Sequence, residues 1–389
     1  MKNIIFCADG TWNGPTGNDV IPDPSNVQLY FESLVNSAQC DHSKPEQESK
    51  VWNESGDLIQ IAKYINGVGA EDSIFEKAFG GAFGFGLMYR IARGYTFISR
   101  NYKPRDKIFI LGFSRGAYTS RALAGIISKY GLLDWEKLEL EESSNTSYLA
   151  AMTIILRYFS EGKENEKFSS FISKFFDICA DQSVKFGKWL THVIMPEQRL
   201  IAVDAIECVS VWDTVGAYGI PFYDNLERKY LDFFEFADKV LNPKIKRGLH
   251  AISIDERRLL FTPTLWEKDE RITQVLYTGS HSDVGGGYIE RGLSDISLQW
   301  IINETKNLGV MFENNISNLT LNALSDIHPQ WEKDPWPNFK SGDRDFLGRT
   351  DLLVAVSVIE RINQGERYQP LSIQNLFGTF NIPLKNIFK

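Results

Sequence analysis

A buried strand that runs directly into a glycine-flanked serine is the feature of this sequence that most restricts its fold. Residues 107–117 read Lys-Ile-Phe-Ile-Leu-Gly-Phe-Ser-Arg-Gly-Ala. The apolar run from Ile108 to Leu111 is typical of a strand that is covered on both faces of a parallel sheet. Residues 117–124 then continue in a helix-compatible sequence. The segment therefore predicts a strand, a sharp turn at Ser114 and the start of a helix.

The turn has the form G-x-S-x-G, from Gly112 to Gly116, which is the pattern of the nucleophile elbow of α/β-hydrolases. Glycines have no Cβ, so the backbone can pass close to the serine. In such a turn the hydroxyl of Ser114 faces a cleft, and the backbone N–H of Arg115 can stabilise a developing oxyanion at the helix N-terminus. We predict Ser114 as a nucleophile and Arg115 as an oxyanion donor. The alternative is an ordinary strand-to-helix turn whose serine has no catalytic role.

The first strand of the chain is predicted at Ile4–Ala8 and leads into Asp9-Gly10-Thr11 at the carboxyl edge of the sheet, where ligands bind in open α/β folds. Asp9 can form an Asx turn or support catalysis directly. Gly10 or Thr11 can supply a second oxyanion N–H. An Asp-Gly-Thr turn also occurs in haloacid dehalogenase phosphatases, but the place of their nucleophilic aspartate is taken by Cys7, which argues against phosphoaspartate chemistry.

A carboxylate follows another predicted strand, Ile206–Trp212, in the form of Asp213. A triad acid belongs at such a strand end, where it holds the tautomer of the histidine and stabilises the imidazolium. The alternative role for Asp213 is that of a helix N-cap.

A histidine follows the strand predicted at Gln274–Thr278. His281 lies in a glycine-rich segment together with Asp283, to which we assign a supporting role. The order Ser114, Asp213, His281 is the Ser, acid, His order of α/β-hydrolases, and His281 would serve as the base. The alternative is a metal held by a His-x-Asp pair with Asp9 and Asp213, which we disfavour because the elbow already supplies a nucleophile. No cofactor or metal is therefore expected.

The predicted strands alternate with predicted helices, which indicates an α/β class with a mostly parallel central sheet flanked by helices. We expect a strand at 58–65, a loop-like segment at 36–56, and helices at 26–34, 87–101, 226–260, 294–308 and 351–362. The predicted 226–260 helix includes His250 and the charged run from Asp255 to Arg258, which would be a solvated face.

Residues 134–200 are predicted to be a helical insertion that could cover the cleft as a cap, with helical segments at 149–159 and 168–193. The hydrolase core would then comprise residues 1–133 and 201–389. The second segment is rich in aromatic residues, which predicts either packing on the main domain or contact with a membrane.

The composition is that of an ordinary globular protein, with 43% hydrophobic residues among 389 and a formal net charge of −8. The negative charge argues against nucleic acid as a partner. The N-terminus lacks the apolar stretch of a signal peptide, and no apolar run is long enough to cross a membrane. We therefore expect a chain that is cytoplasmic as synthesised.

Four motifs together resemble an α/β-hydrolase domain family that includes a class of type VI secretion phospholipase effectors. They begin at Asp9, Gly112, Val211 and His281 and read Asp-Gly-Thr-Trp-Asn, Gly-Phe-Ser-Arg-Gly-Ala, Val-Trp-Asp-Thr-Val-Gly and His-Ser-Asp-Val-Gly-Gly-Gly-Tyr. The resemblance runs in order from residue 3 to about residue 370.

The resemblance implies a serine esterase, and in effectors a phospholipase A that acts on bacterial membrane lipids with Ser114, Asp213 and His281 as the triad. It also implies a phospholipid or other acyl-ester substrate, peripheral membrane contact, a secretion-apparatus or immunity partner, and export by a non-classical route. One departure is that many relatives carry His-x-Ser where this chain has Ala355-Val356-Ser357. If that histidine were the base, the chain would be a degenerate hydrolase used for binding or scaffolding; a small-ester carboxylesterase is the other alternative.

Overall fold

The computed structural model describes residues 1–10, 23–41, 44, 46–67, 83–138, 145–160, 199–216, 239–314, 319–333, 336–364, 368–379 and 382–388, and every structural statement concerns these. Their strands are short and mostly buried. They are β1 (Asn3–Ala8), β2 (Glu46–Trp52), β3 (Leu58–Ile65), β4 (Lys107–Phe113), β5 (Leu132–Leu133), β6 (Leu200–Ile201), β7 (Cys208–Trp212), β8 (Gly248–Ser253), β9 (Ile272–Tyr277), β10 (Leu353–Ala355) and β11 (Ile387–Phe388).

Nine of these strands form one sheet in the order β11-β10-β9-β8-β7-β4-β1-β3-β2. Every neighbouring pair is parallel except β2 and β3, which are antiparallel at one edge. Because parallel strands end at the same edge, the residues that follow β1, β4, β7, β8 and β9 lie along one side of the sheet. The predicted mostly parallel sheet is confirmed.

The described helices cover both faces of the sheet. They are α1 (Asn26–Glu32), α2 (Phe83–Asn101), α3 (Arg115–Tyr130), α4 (Asn145–Ser160), α5 (His281–Gly285), α6 (Ser294–Asn307), α7 (Val356–Gln364) and α8 (Leu371–Phe377). The predicted helices at 26–34, 87–101 and 294–308 are confirmed with small differences at their ends.

Alternate residues of the central strands enter two separate hydrophobic clusters. Ile108 and Ile110 of β4 pack in the cluster that includes side chains of α2, α3 and α4. Phe109 and Leu111 pack on the opposite face with side chains of α1 and α6. This arrangement explains the continuous apolar run of β4, because a strand covered on both faces needs apolar side chains at every position.

The two ends of the predicted insertion lie side by side. Leu132 pairs with Ile201 and Leu133 with Leu200 in the small antiparallel pair of β5 and β6. Between them, α4 packs on α2 and buries Ile154 and Ile155 in the core, so this helix belongs to the packed body. The segment 168–193, predicted as the second helix, lies outside the described residues, and the division into core and cap stays a prediction.

The prediction of a loop at 36–56 is wrong, because β2 occupies residues 46–52. Only Ser49 and Val51 of this strand are buried, and charged residues predominate among the others. Glu46 contacts Lys63 of β3 at 2.8 Å and also pairs with Arg93 of α2. An edge strand that is covered on one face does not need an apolar sequence, so composition alone indicated a loop.

The prediction of a helix at 226–260 is wrong for its described part, since residues 248–253 form β8 between β7 and β9. All six residues of β8 are buried, including His250. The predicted solvated face at 255–258 is also wrong, because Glu256 and Arg258 are buried as a pair with bonds of 2.7 and 2.8 Å. Residues 226–238 lie outside the described part.

The predicted helix at 351–362 divides into two elements. Residues 353–355 form β10, and α7 begins at Val356. A strand of three residues is too short to show a period of two in the sequence, so its side chains extended the apparent helical pattern. Position 355 is therefore the end of a sheet strand.

Candidate active site

Ser114 occupies the sharp turn that its sequence predicts, between the end of β4 and the start of α3. Its backbone has φ 57° and ψ −121°, a conformation that non-glycine residues rarely adopt. The Ser114 N–H donates to the carbonyl of Trp212 at 3.0 Å, which ties the turn to the end of the neighbouring strand β7. A strained serine at a strand-to-helix turn is the geometry of a nucleophile elbow.

The two glycines of the elbow have the role that the sequence analysis assigned to them. A Cβ on Gly112 would lie 2.3 Å from the carbonyl oxygen of Gly116, and a Cβ on Gly116 would lie 2.0 Å from the carbonyl oxygen of Ala8. Both distances are far below van der Waals contact. The prediction that these positions require glycine for close backbone passage is therefore confirmed.

Asp213 follows β7 and is fully buried at the same edge of the sheet. Its backbone has φ 38°, which an aspartate tolerates better than most residues. The Asp213 N–H donates to the carbonyl of Ala251 at 2.7 Å, and the carboxylate oxygen Oδ1 accepts from the N–H of Ser253 at 3.0 Å. These contacts with β8 fix both the backbone and the carboxylate.

His281 is the first residue of α5 and contacts Asp213 directly. The distance from His281 Nδ1 to Asp213 Oδ2 is 2.6 Å, and both side chains are buried. The imidazole contacts the ring of Phe113, at 4.6 Å between centroids, and the ring of Phe261, at 4.9 Å. Among the described residues, no group forms a hydrogen bond with the other ring nitrogen, Nε2. The predicted acid and base are therefore brought together in one pair, with Nε2 left to accept a proton.

The protonation states follow from burial and from neighbouring charges. Burial lowers the pKa of His281, although the hydrogen bond and the charge of Asp213 act in the opposite direction. Burial alone would raise the pKa of Asp213, but the charge and hydrogen bonds of Arg344, with a smaller effect of His281, hold that pKa well below its usual range. Near neutral pH the pair is thus a neutral imidazole that donates from Nδ1 to an ionised carboxylate.

Arg344 is a site residue that the sequence analysis missed. Its Nη1 donates to Asp213 Oδ1 at 2.6 Å and its Nη2 donates to Asp213 Oδ2 at 2.8 Å. The arginine lies outside the four sequence motifs and is 131 positions from Asp213 in the chain. No local pattern marks such a contact.

Glu256 is a second residue near the base that the sequence did not indicate. Its Oε2 accepts from the backbone N–H of His281 at 3.2 Å, while Arg258 neutralises its charge. The side chain of Glu256 thereby anchors the first residue of α5. The Arg258 guanidinium also lies over the ring of Phe261, 3.7 Å from its centroid.

The predicted oxyanion donors differ in their surroundings. Arg115 begins α3, where the first N–H groups of a helix have no carbonyl of their own helix to bind. Gly10 lies beside the elbow, since a Cβ on it would be 3.3 Å from the Cβ of Ser114. Its N–H, however, donates to Asp9 Oδ1 at 2.6 Å. Thr11 lies outside the described residues.

The two residues that were predicted to support the site both hold turns. Asp9 is buried, and its Oδ2 accepts from Ser25 Oγ at 2.7 Å and from Tyr64 Oη at 2.6 Å. Asp283 accepts from the N–H of Ser280 at 2.8 Å, and its Oδ1 lies 2.6 Å from His328 Nδ1. Asp283 thus stabilises the helix that His281 begins.

His250, once placed on β8, holds the turn after Asp213. Its Nε2 accepts from the Thr214 N–H at 3.1 Å, and its Nδ1 lies 3.4 Å from Gln274 Oε1. Burial and the positive charge of Arg121 lower the pKa of His250 to about 3. This histidine is therefore neutral at any pH near 7 and acts as a fixed acceptor.

The absence of a histidine at position 355 does not affect the contact between Asp213 and His281. Ala355 ends β10 and pairs with Phe388 of β11. The Asp213–His281 contact forms without a histidine there. In the described part of the chain, no group of three or more His, Cys, Asp or Glu side chains is arranged to hold a metal ion, and none of the helices is long and apolar enough to span a membrane.

The mostly parallel sheet, the strained elbow after β4 and the contact between Asp213 and His281, which follow β7 and β9, define an α/β-hydrolase-like protein. Residues 2–304 match the family described as type VI secretion system phospholipase effector Tle1-like, catalytic domain. The chain belongs to this family.

Three individual proteins show more distant similarity. An uncharacterized protein of Saccharomyces cerevisiae is 32% identical over 136 residues, which cover 34% of this chain and 18% of that protein. The crystal structure of an uncharacterized protein from Pseudomonas aeruginosa is 17% identical with a TM-score of 0.39, and the match covers 80% of this chain and 46% of that one. A structure of the Tle1 effector bound to the VgrG spike of the type 6 secretion system is 17% identical with a TM-score of 0.32, covering 74% and 51%. The chain thus spans about half the length of these two structures, and less of the yeast protein.

Proposed function

We propose that this chain is a serine ester hydrolase that cleaves acyl esters of membrane phospholipids in the manner of a phospholipase A. The observation that carries the proposal is the buried Asp213–His281 pair at 2.6 Å, beside a serine in a strained elbow. Membership in a family of phospholipase effectors supports the lipid substrate.

The first step is attack of Ser114 Oγ on the ester carbonyl carbon. His281 Nε2 takes the hydroxyl proton. The Nδ1–H of His281 continues to donate its hydrogen bond to Asp213, which keeps the imidazole in the required tautomer. In the structure Nε2 forms no hydrogen bond with Ser114. We propose that this contact forms when substrate is bound, since hydrogen bonds between catalytic groups commonly tighten only then.

The tetrahedral intermediate places its negative oxygen at the N-terminus of α3, where the Arg115 N–H is the donor that we propose. Gly10 can act as the second donor only if its N–H leaves Asp9 Oδ1. Otherwise the second donor is Thr11. Collapse of the intermediate breaks the ester bond, and His281 returns the proton to the departing lysophospholipid oxygen. Water then attacks the acyl-Ser114 ester while His281 takes its proton. When the acyl bond breaks, His281 returns that proton to Ser114 Oγ and a fatty acid is released.

Family membership also supports three further proposals about the protein in its cell. A secretion-apparatus component or an immunity protein is a partner of the chain. Export proceeds through the secretion apparatus itself. Contact with the target lipid is peripheral.

The substrate class is tested with vesicles of phosphatidylethanolamine and phosphatidylglycerol against a short soluble ester such as p-nitrophenyl butyrate. We expect faster turnover per enzyme on vesicles, with fatty acid and lysophospholipid released in equal amounts, as measured by mass spectrometry. Hydrolysis of the soluble ester without vesicle turnover would favour a small-ester carboxylesterase. No hydrolysis of either would favour the degenerate binding protein.

A further inference from the structure

We propose that Arg344 is a positioning residue that orients Asp213 toward His281 and compensates the charge of the acid. The inference rests on the proposed triad. It concerns a residue beyond the segment 2–304 that matches the family, so it assigns an active-site role to the C-terminal part of the chain.

Each terminal nitrogen of Arg344 makes two hydrogen bonds. Nη1 donates to Asp213 Oδ1 and to the carbonyl of Ser253 at 2.7 Å. Nη2 donates to Asp213 Oδ2 and to the carbonyl of Phe261 at 2.6 Å. A planar guanidinium that binds both carboxylate oxygens fixes the plane of the carboxyl group, which a lysine cannot do. This plane directs Oδ2 at His281 Nδ1.

Arg344 also contacts Phe261, a residue that packs against His281. The Phe261 whose carbonyl it binds packs its ring on the His281 imidazole. One buried side chain from a distant part of the sequence thereby holds the acid and one of the two rings that confine the base. An arginine that only stabilised the fold would not need to contact both Asp213 and Phe261.

Other contacts from beyond residue 304 support the same edge of the sheet. His328 binds Asp283 in the helix that His281 begins. Tyr368 Oη donates to Asp255 Oδ2 at 2.7 Å, and the same oxygen accepts from the N–H of Gly279 at 2.7 Å, two residues before His281. The C-terminal segment therefore supplies a partner to Asp213 and to two further carboxylates, Asp283 and Asp255, near His281.

The charges around His281 determine what loss of Arg344 would do. The titratable and charged groups near it are Asp213 with Arg344, Glu256 with Arg258, Asp283 with His328, and Asp255 with Tyr368. Without Arg344, Asp213 keeps an uncompensated negative charge against the imidazole. Such a charge favours the imidazolium, so the pKa of His281 would rise.

The test is the pH dependence of kcat/KM for a soluble ester in Arg344→Met, Arg344→Lys and Arg349→Met. Arg349 is the matched control, because its Nη2 binds a carboxylate, Asp351, and a carbonyl, Trp266, without contacting the proposed triad. In the wild type, we expect activity to be lost only below the ordinary titration range of histidine. In Arg344→Met the acid limb should move upward by about one pH unit or more, and kcat should fall about 100-fold through misplacement of the acid.

Arg344→Lys keeps the charge but loses the bidentate contact, so we expect a lower kcat with an acid limb close to that of the wild type. Thermal melting reports whether each variant folds, and if Arg344→Met does not fold, the kcat of Arg344→Lys decides. The inference is overturned if the folded variants match Arg349→Met in both kcat and acid limb. Full activity of Ser114→Ala in the same assay would instead overturn the proposed function.

Discussion

Replacement of Ser114 by alanine is expected to lower ester hydrolysis by at least about 10⁴-fold, because no acyl-enzyme can form without the hydroxyl. Alanine keeps the same Cβ as serine, so the strain of the backbone at φ 57° is unchanged and the fold should persist. The measurement is kcat/KM on a soluble ester, with circular dichroism melting to confirm folding.

Ser128→Ala is the matched control for this substitution. Ser128 lies on α3, the helix that follows Ser114, and is buried, and its hydroxyl has no hydrogen-bond partner among the described residues. This variant should retain wild-type activity. Residual activity of Ser114→Ala within tenfold of that control would contradict its role as the nucleophile.

Replacement of Asp213 by asparagine is expected to lower kcat by about 10⁴-fold near pH 7. Both carboxylate oxygens accept hydrogen bonds from Arg344, and Oδ2 also accepts from His281 Nδ1. Asparagine has only one acceptor oxygen. If that oxygen accepts from Arg344, the amide nitrogen of the asparagine faces His281 Nδ1 as a donor. The imidazole proton then moves to Nε2, and Nε2 can no longer act as the base.

The backbone at residue 213 tolerates this change, because asparagine adopts positive φ at least as readily as aspartate. The check is kcat across pH together with the melting temperature. A folded Asp213→Asn variant with wild-type kcat at pH 7 would show that Asp213 does not set the tautomer of the base.

The elbow and the contact between Asp213 and His281 could be predicted because their signals are local. Gly112 to Gly116 carry their constraint within five residues, and Asp213 and His281 each follow a strand with a readable apolar run. Parallel strands place such positions along one edge, so their order in the chain was enough to bring them together.

Arg344 could not be predicted, because it acts through a contact that has no counterpart in its own sequence neighbourhood. The same holds for His328 and Tyr368. They contact Asp283 and Asp255 because the folded C-terminal segment lies against this edge of the sheet. Sequence patterns report which face of an element is buried, and they do not report which distant side chain it meets.

The errors in secondary structure have a related cause. His250 and the charged run after it suggested an exposed helix, whereas neighbouring strands on both sides impose an extended conformation. Edge strand β2 is covered on one face only, so its charged sequence resembled a loop. In both places tertiary contacts decided the local structure over intrinsic preference.

The central claim, that Ser114 is a nucleophile activated by His281 and Asp213, is tested most directly by a serine-reactive fluorophosphonate probe followed by peptide mass spectrometry. The account predicts one adduct per chain, located on Ser114, absent from Ser114→Ala and formed much more slowly in Asp213→Asn. An unlabelled wild-type protein that is folded, or an adduct that persists in Ser114→Ala, would contradict it.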